Sequence, residues 1–342
     1  MLIGVTLAGC GESPQRPKPN QKENSAALPT PPDSQTPEQS QPQLEPKSAE
    51  LEQSVLFAGS DKSLTALLTQ LKQAATSPQR FRPVGGSSVV LRVELKEGIE
   101  AAFKPTTKDR ETAYQREIAA FRLASALGLD TVPPVILIKY GRDELQSKLH
   151  QDYSSRWSEI DERILWDGHG LTEGALITWV SEAKSARFSD VTSESSWTQW
   201  LLQGQTAPSA SLARDLSNML AFDYLIGNWD RFSGGNFKMT KDNSRLILLD
   251  HNSAFGAPFR DKIHERVYQR LRQAQKFSRR LYERLLLLDK PKLLGLFNKD
   301  ANTPALLSAA QIDGLLDRRA TLLSYIQSLI EIHGSDKILV FE

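Results

Sequence analysis

Apolar positions recur at helical spacing in Ser63–Ala75, where Leu64, Leu67, Leu68 and Leu71 share one face and Pro78 follows the end. The pattern then changes to alternation. Val89–Leu95 and Ile99–Lys104, on either side of Lys96-Glu97-Gly98, predict a β-hairpin whose first strand follows the loop Pro83-Val84-Gly85-Gly86-Ser87-Ser88. Glu111–Leu127 is amphipathic with helical period and stops at Gly128, a residue suited to the left-handed turn after a helix. Val132–Tyr140, entered through Pro133-Pro134, and Gly174–Val180 predict two more strands. Between them, Arg142–Asp167 is polar and irregular, and reads as an insertion or a charged helix. Leu212–Ile226 predicts a helix, Thr240–Asn243 a turn and Arg245–Leu249 an apolar strand. Ile263–Leu288, Leu293–Phe297 and Gln311–Ile332 are helical in pattern. A β-rich first part and a mainly helical second part predict an α+β chain of two lobes with a cleft between them.

The first fifty residues follow neither period. Gly11 to about Glu50 is rich in Pro, Gln, Ser, Glu and Lys and holds half of the chain's 18 prolines. Such a segment buries too little apolar surface to offset its ordering entropy, so it reads as a disordered tether. Ahead of it, apolar Met1–Ala8 leads into Leu7-Ala8-Gly9-Cys10, which resembles a bacterial lipobox whose cysteine becomes the lipidated N-terminus. The leader carries no Lys or Arg, which is the ground for expecting the true start to lie upstream. The expected organisation is a lipoprotein signal over 1–10, a tether over 11–50, a β-rich lobe with an insertion over 51–181 and a helical lobe over 182–342.

Composition narrows the chemistry. Forty-two basic residues against 41 acidic ones give no charge argument for nucleic acid. A single cysteine excludes disulfides within the chain and thiolate zinc sites, and the five histidines lack ligand spacing. No run after the leader is long and apolar enough to span a bilayer.

What remains is a set of polar residues at revealing places. Period two puts Ala102 and Lys104 on one strand face and Ala101 and Phe103 on the other. A small residue two positions before a lysine leaves room for a flat base while the ammonium reaches phosphate oxygens. Glu117, thirteen residues on, borders the apolar face of the following helix and can pair with that lysine, with Glu111 the fallback partner. Asp230 and Arg231 follow Gly227-Asn228 at the end of a helix, where an aspartate can accept a hydroxyl proton and an arginine can hold the loop or meet phosphate. Asn236, after Gly234-Gly235, and Asp250, at the end of a strand, are oxygen ligands of the kind a metal–nucleotide needs. Gly85 and Gly86 are a candidate phosphate loop.

Asn228-Trp229-Asp230-Arg231 with Leu249-Asp250-His251-Asn252-Ser253-Ala254-Phe255-Gly256 resembles the secretory-pathway atypical kinases, most closely their Four-jointed branch. Ala102-Phe103-Lys104-Pro105, Glu117 and Leu127-Gly128 through Val132-Pro133-Pro134 are similar to the N-lobe of that family, so the resemblance covers roughly Arg82–Gly256. It implies a two-lobed protein-kinase-like fold with ATP and Mg or Mn. Lys104 would lie on phosphate with Ala102, Gly85 and Gly86 around the nucleotide, and Glu117 would pair the lysine. Asp230 would be the catalytic aspartate, with Arg231 beside it, and Asp250 and Asn236 would hold metal. Two departures stand out: Asn236 is six rather than five positions after Asp230, and there is no GxGxxG.

The expected activity is transfer of a phosphoryl group to a hydroxyl, of Ser or Thr in a protein or of a sugar. The alternative is an inactive kinase-like module that binds nucleotide or another protein. The expected location is the bacterial cell envelope, held to the membrane by lipid on Cys10. Arg266, Arg270, Arg272, Lys276, Arg279, Arg280 and Arg284 form a basic series that could dock an anionic substrate.

Overall fold

The structure is a computed structural model and describes residues 55–185, 194–233, 235–256, 261–298 and 305–342. All of these belong to one compact unit spanning 46–342. Cys10, the 1–10 signal and the 11–50 tether lie outside the described residues.

The first helix, α1 (Leu64–Ala74), is capped by the Ser63 hydroxyl and buries Leu64 and Leu71. Five antiparallel strands follow: β1 (Pro78–Pro83), β2 (Leu91–Leu95), β3 (Glu100–Pro105), β4 (Val135–Gly141) and β5 (Leu171–Thr178). Their order in the sheet is β1-β2-β3-β5-β4. β1 was not anticipated, because Pro78 read only as a helix stop. Its side chains are mostly turned outward, and Phe81 alone is fully buried near its middle.

Alternation along β3 divides the sheet as the sequence predicted. Ala101 and Phe103 enter a core with Phe81, Val93, Tyr140 and Leu176, whereas Ala102 and Lys104 face the other way. That core is closed by α1 and by the polar insertion, which forms α3 (Arg142–Ser147), a 3-10 turn (Gln151–Arg156) and α4 (Trp157–Arg163). Leu145, Ile160 and Ile164 are the insertion's buried contributions. The opposite face of the sheet carries α2 (Ala113–Ala126), whose exit is turned by Gly128 at φ 73°.

The second part is mainly helical, with α5 (Glu194–Trp200), α6 (Ala210–Ile226), α7 (Asp261–Leu271), α8 (Arg279–Leu286), α9 (Lys290–Phe297), α10 (Ala309–His333) and α11 (Ser335–Ile338). α6 is buried over most of its length and serves as the central post. A small sheet of order β6-β7-β8, made of Lys184–Ser185, Phe237–Met239 and Leu246–Leu248, packs beside it.

One predicted helix is corrected. Ile263–Leu288 breaks between α7 and α8, because Phe277 donates its amide to the Ile338 carbonyl and accepts from Phe341. Pairing with the C-terminal segment outweighs local propensity there. The basic series breaks with it: Lys276 donates to the Trp200 and Gln205 carbonyls, Arg279 to Leu339 and Arg284 to Ala126. Among the described residues, these three of the seven side chains close helix ends and loops. Among the described residues, no helix is long and apolar enough to cross a membrane.

Candidate active site

β3 brings Lys104 to the face of the sheet that carries α2, and one further feature lets it sit close. Gly174 on β5 pairs next to it, and a Cβ there would lie 2.5 Å from the Lys104 carbonyl oxygen and from the Phe103 ring. Lys104 Nζ donates to Glu117 Oε1 at 2.5 Å and lies 3.1 Å from Asp250 Oδ1. Glu111, the alternative partner, is exposed; Glu117 is 2% exposed. The Glu117 carboxylate also accepts the His251 amide at 3.1 Å on each oxygen, and its Oε2 lies 3.3 Å from His251 Nδ1. Burial alone would raise the Glu117 pKa. The Lys104 charge and the His251 donors outweigh it and hold the carboxyl well below the usual carboxylate range. For Lys104, burial works downward, and Glu117 and Asp250 outweigh it, so the ammonium is held above its ordinary value.

The second half of the site hangs from α6. Gly227 caps that helix at φ 68°, and the chain turns into Asn228, Trp229, Asp230 and Arg231. Arg231 is corrected as a candidate catalytic residue, since it is completely buried and lines neither of the cavities that the site's acids share. Its Nε and Nη2 donate to the Asp223 carboxylate, the former at 2.9 Å to Oδ2 and the latter at 2.9 Å to Oδ1. Its Nη1 donates to the carbonyls of Asn236 and Leu249, both at 2.5 Å. It therefore ties the Asp230 loop to the strand end that presents Asp250. This was one of the two roles the residue type allowed.

Asp230 is fastened from two sides. Ser233 Oγ donates to its Oδ1, and Asn236 Nδ2 donates to its main-chain oxygen at 2.8 Å, with Oδ2 3.4 Å away. Gly235 turns the chain at φ 96°, and Asn236 stands beside Asp230. Asp250 has φ 56°, a left-handed conformation uncommon for a residue other than glycine, and it aims the carboxylate into the cleft.

Two connected cavities share these groups. A smaller one of about 310 Å³ is lined by Ala102, Val135, Ile177 and Leu248, with Lys104 and Asp250 at its polar end. It is an apolar slot fit for a flat base. A larger one of about 830 Å³ contains Asp230, Asn236 and Asp250 under the loop of Gly85 and Gly86, whose φ values are 88° and 101°. Arg110 Nη1 holds that loop through Ser88 Oγ at 3.0 Å.

A divalent ion is implied by this arrangement, and the residues fit one. Asp250 Oδ1 is a buried atom with no well-directed hydrogen bond, although Lys104 lies 3.1 Å away, and Asn236 lines both cavities beside it. Among the described residues, no three His, Cys, Asp or Glu could hold a metal by themselves. Such an ion would depend on phosphate oxygens for the rest of its shell, as Mg²⁺ at nucleotide sites does.

The structure thus brings together Lys104, Ala102, Glu117, Asp230, Asn236, Asp250, Gly85 and Gly86 around one cleft. Sequence reasoning missed His251, Asp223, Ser233 and Arg116. Asp223 was legible in principle, as an acid on the buried face of α6 eight residues before Arg231. His251 stood next to a chosen residue but offered no ligand spacing.

Comparison with known proteins agrees with the geometry. Residues 171–338 match the family described as Golgi casein kinase, C-terminal, Fam20. The chain is 24% identical over 301 residues to human glycosaminoglycan xylosylkinase, covering 75% of this chain and 72% of that protein. It is also 24% identical over 342 residues to human extracellular serine/threonine protein kinase FAM20C, covering 83% of this chain but 57% of that protein. Among solved structures, the Golgi casein kinase with Mn/ADP bound superposes with a TM-score of 0.62 at 19% identity, covering 82% of this chain and 80% of the other. Hydra Fam20 with sugar gives 0.60 at 20% identity, with 82% and 92% covered. The fold is the kinase fold of these proteins, α+β with an antiparallel sheet before a mainly helical region.

Proposed function

We propose that this chain, an atypical kinase of the Fam20 family, transfers the γ-phosphoryl group of ATP to a hydroxyl of a protein Ser or Thr or of a sugar. The observation that carries the reading is the pair of contacts Lys104 makes with Glu117 and Asp250 at the polar end of an apolar slot, with Asp230 in the adjoining cavity. Lys104 meets the phosphates, and Glu117 fixes its reach. The slot around Ala102 takes the base, and the Gly85-Gly86 loop lets the backbone approach the phosphates without a Cβ in the way. Asp250 and Asn236 would hold Mg or Mn. The ion neutralises phosphate charge when bound.

Asp230 accepts the acceptor's proton, or orients it, as the acceptor oxygen bonds to the γ-phosphorus and the bond to the β-phosphate oxygen breaks, releasing ADP. Ser233 holds that carboxylate directly, and Asn236 holds the Asp230 main-chain oxygen with its amide 3.4 Å from Oδ2. Arg231 keeps the two loops in register from behind.

Several finer readings rest on sequence features and belong to the same proposal. They are the Four-jointed-like character of the Asn228–Arg231 motif, the lobe boundary at 181/182, and lipidation of Cys10 with anchoring in a bacterial envelope. Lipid-probe labelling that survives Cys10→Ala would remove the last.

The activity is tested by incubating the full chain with labelled ATP and Mn or Mg, in the presence of protein and sugar acceptors. Wild type should label an acceptor and Asp250→Ala should not. Nucleotide binding without transfer by wild type would instead establish the inactive-module alternative.

A further inference from the structure

Arg116 immediately precedes Glu117 on α2, but its side chain turns toward the larger cavity rather than the lysine. Its Nη1 donates to the Asn252 carbonyl at 2.9 Å, two residues beyond Asp250. That bond uses one of the guanidinium's five N–H donors, and Nε is buried without any partner. The group lines the same cavity as Gly85, Gly86, Asp230, Asn236 and Asp250. Among the described residues lining that cavity, Arg110 is the other arginine, and it is engaged by Ser88 of the glycine loop. A buried donor left unpaired is costly unless a ligand satisfies it. Burial also pulls the Arg116 pKa below its ordinary value, which accords with a cation lacking a carboxylate partner.

We propose that Arg116 is a catalytic residue that binds the phosphoryl group being transferred. This rests on the kinase reading above. Its planar fork donates to the equatorial oxygens of the γ-phosphoryl from the α2 side, opposite in origin to Asp230 on the loop after α6. Charge on those oxygens is then met by a fixed guanidinium supplied within the chain. The bond to Asn252 holds the guanidinium in place and couples α2 to the Asp250 loop.

The test compares wild type with Arg116→Gln, which removes the charged fork and leaves a shorter, neutral amide on α2. Dissociation constants are measured for ADP and for AMP-PNP in the presence of Mn, alongside turnover and thermal melting. Arg116→Gln should keep its ADP affinity within about twofold and lose AMP-PNP affinity by about tenfold or more. Its kcat should fall by about 100-fold, as for other fixed donors at developing charge. Equal weakening of ADP and AMP-PNP, with a lowered melting temperature, would assign Arg116 to bracing alone and overturn the proposal. Unchanged affinity for both nucleotides with a raised acceptor KM would also overturn it, by making the acceptor the bound anion. Should wild type show the AMP-PNP preference for Arg116 yet transfer nothing, the phosphoryl site would stand and the kinase activity would fall. Failure of wild type to bind either nucleotide would remove both.

Discussion

Replacing Glu117 by Gln tests the centre of the site with a change of one atom type. Glu117 is 2% exposed and receives Lys104 Nζ at 2.5 Å, the His251 amide at 3.1 Å and His251 Nδ1 at 3.3 Å. Glutamine keeps one acceptor oxygen but turns an NH2 toward donors, so at least one contact becomes repulsive. Removing one partner of a buried ion pair costs about 3–5 kcal/mol. Here part of that returns, because Asp250 Oδ1 already lies 3.1 Å from the ammonium and can take the whole lysine. A net loss of about 2–3 kcal/mol follows, or a fall in Tm of about 5–10 °C at roughly 2–4 °C per kcal/mol for a unit of this size. The same capture of Lys104 by Asp250 draws both away from the nucleotide, so affinity for ADP with Mn should drop by about tenfold or more. Differential scanning fluorimetry and a fluorescent-nucleotide titration read the two effects. A Glu117→Gln protein with unchanged Tm and unchanged nucleotide affinity would refute the reasoning, which rests on the cost of leaving a buried charge uncompensated.

The remaining predictions concern the surroundings of that pair. Gly174→Ala places a Cβ 2.5 Å from the Lys104 carbonyl, so it should cost about 1–3 kcal/mol by overpacking and weaken nucleotide binding; an unperturbed melt would show that β3 can move aside. Arg231→Lys keeps charge but loses the fork to Asp223 and the two carbonyls, and should lower both Tm and kcat despite never touching substrate, as melting and turnover measurements would show. Asp250→Asn leaves the Lys104–Glu117 bond in place, so its melt should stay near wild type while Mn-dependent nucleotide affinity is lost. For pH, Glu117 is depressed in the folded state, so the stability it contributes is complete above about pH 5 and is lost as pH falls through its folded value. Lys104 is raised, so its contribution is complete below about pH 10 and is lost as pH rises through its folded value. Nucleotide affinity should therefore be flat between about pH 6 and 9, and a titration step of this pair inside that window would contradict the assignment.

The site was more legible in the sequence than the packing that supports it. Lys104 announced itself because strand period alone separates it from Phe103, and Glu117 because helix period sets it against an apolar face. Asp230 and Asp250 were found as acids at the ends of apolar elements, places where the chain must leave the core. Arg231 sat beside them with the same appearance, and only burial distinguished it as a brace. Its partner Asp223 is on the helix before the loop, and the two carbonyls it holds are five and eighteen residues downstream. No local pattern encodes such a meeting.

Local periodicity and residue chemistry alone determined a β-rich first part and a mainly helical second part, which residues could carry phosphoryl transfer, and that a single cysteine leaves no thiolate zinc site. Tertiary structure alone decided that Pro78–Pro83 is an edge strand, that Ile263–Leu288 is two helices, and that the polar insertion closes the back of the sheet. It also decided that Arg116 enters the cleft and that His251 completes the Glu117 shell. The physical reason is the range of the forces involved. Period and propensity act over neighbouring residues, whereas a buried carboxylate or guanidinium is placed by donors and acceptors that only folding brings within 3 Å.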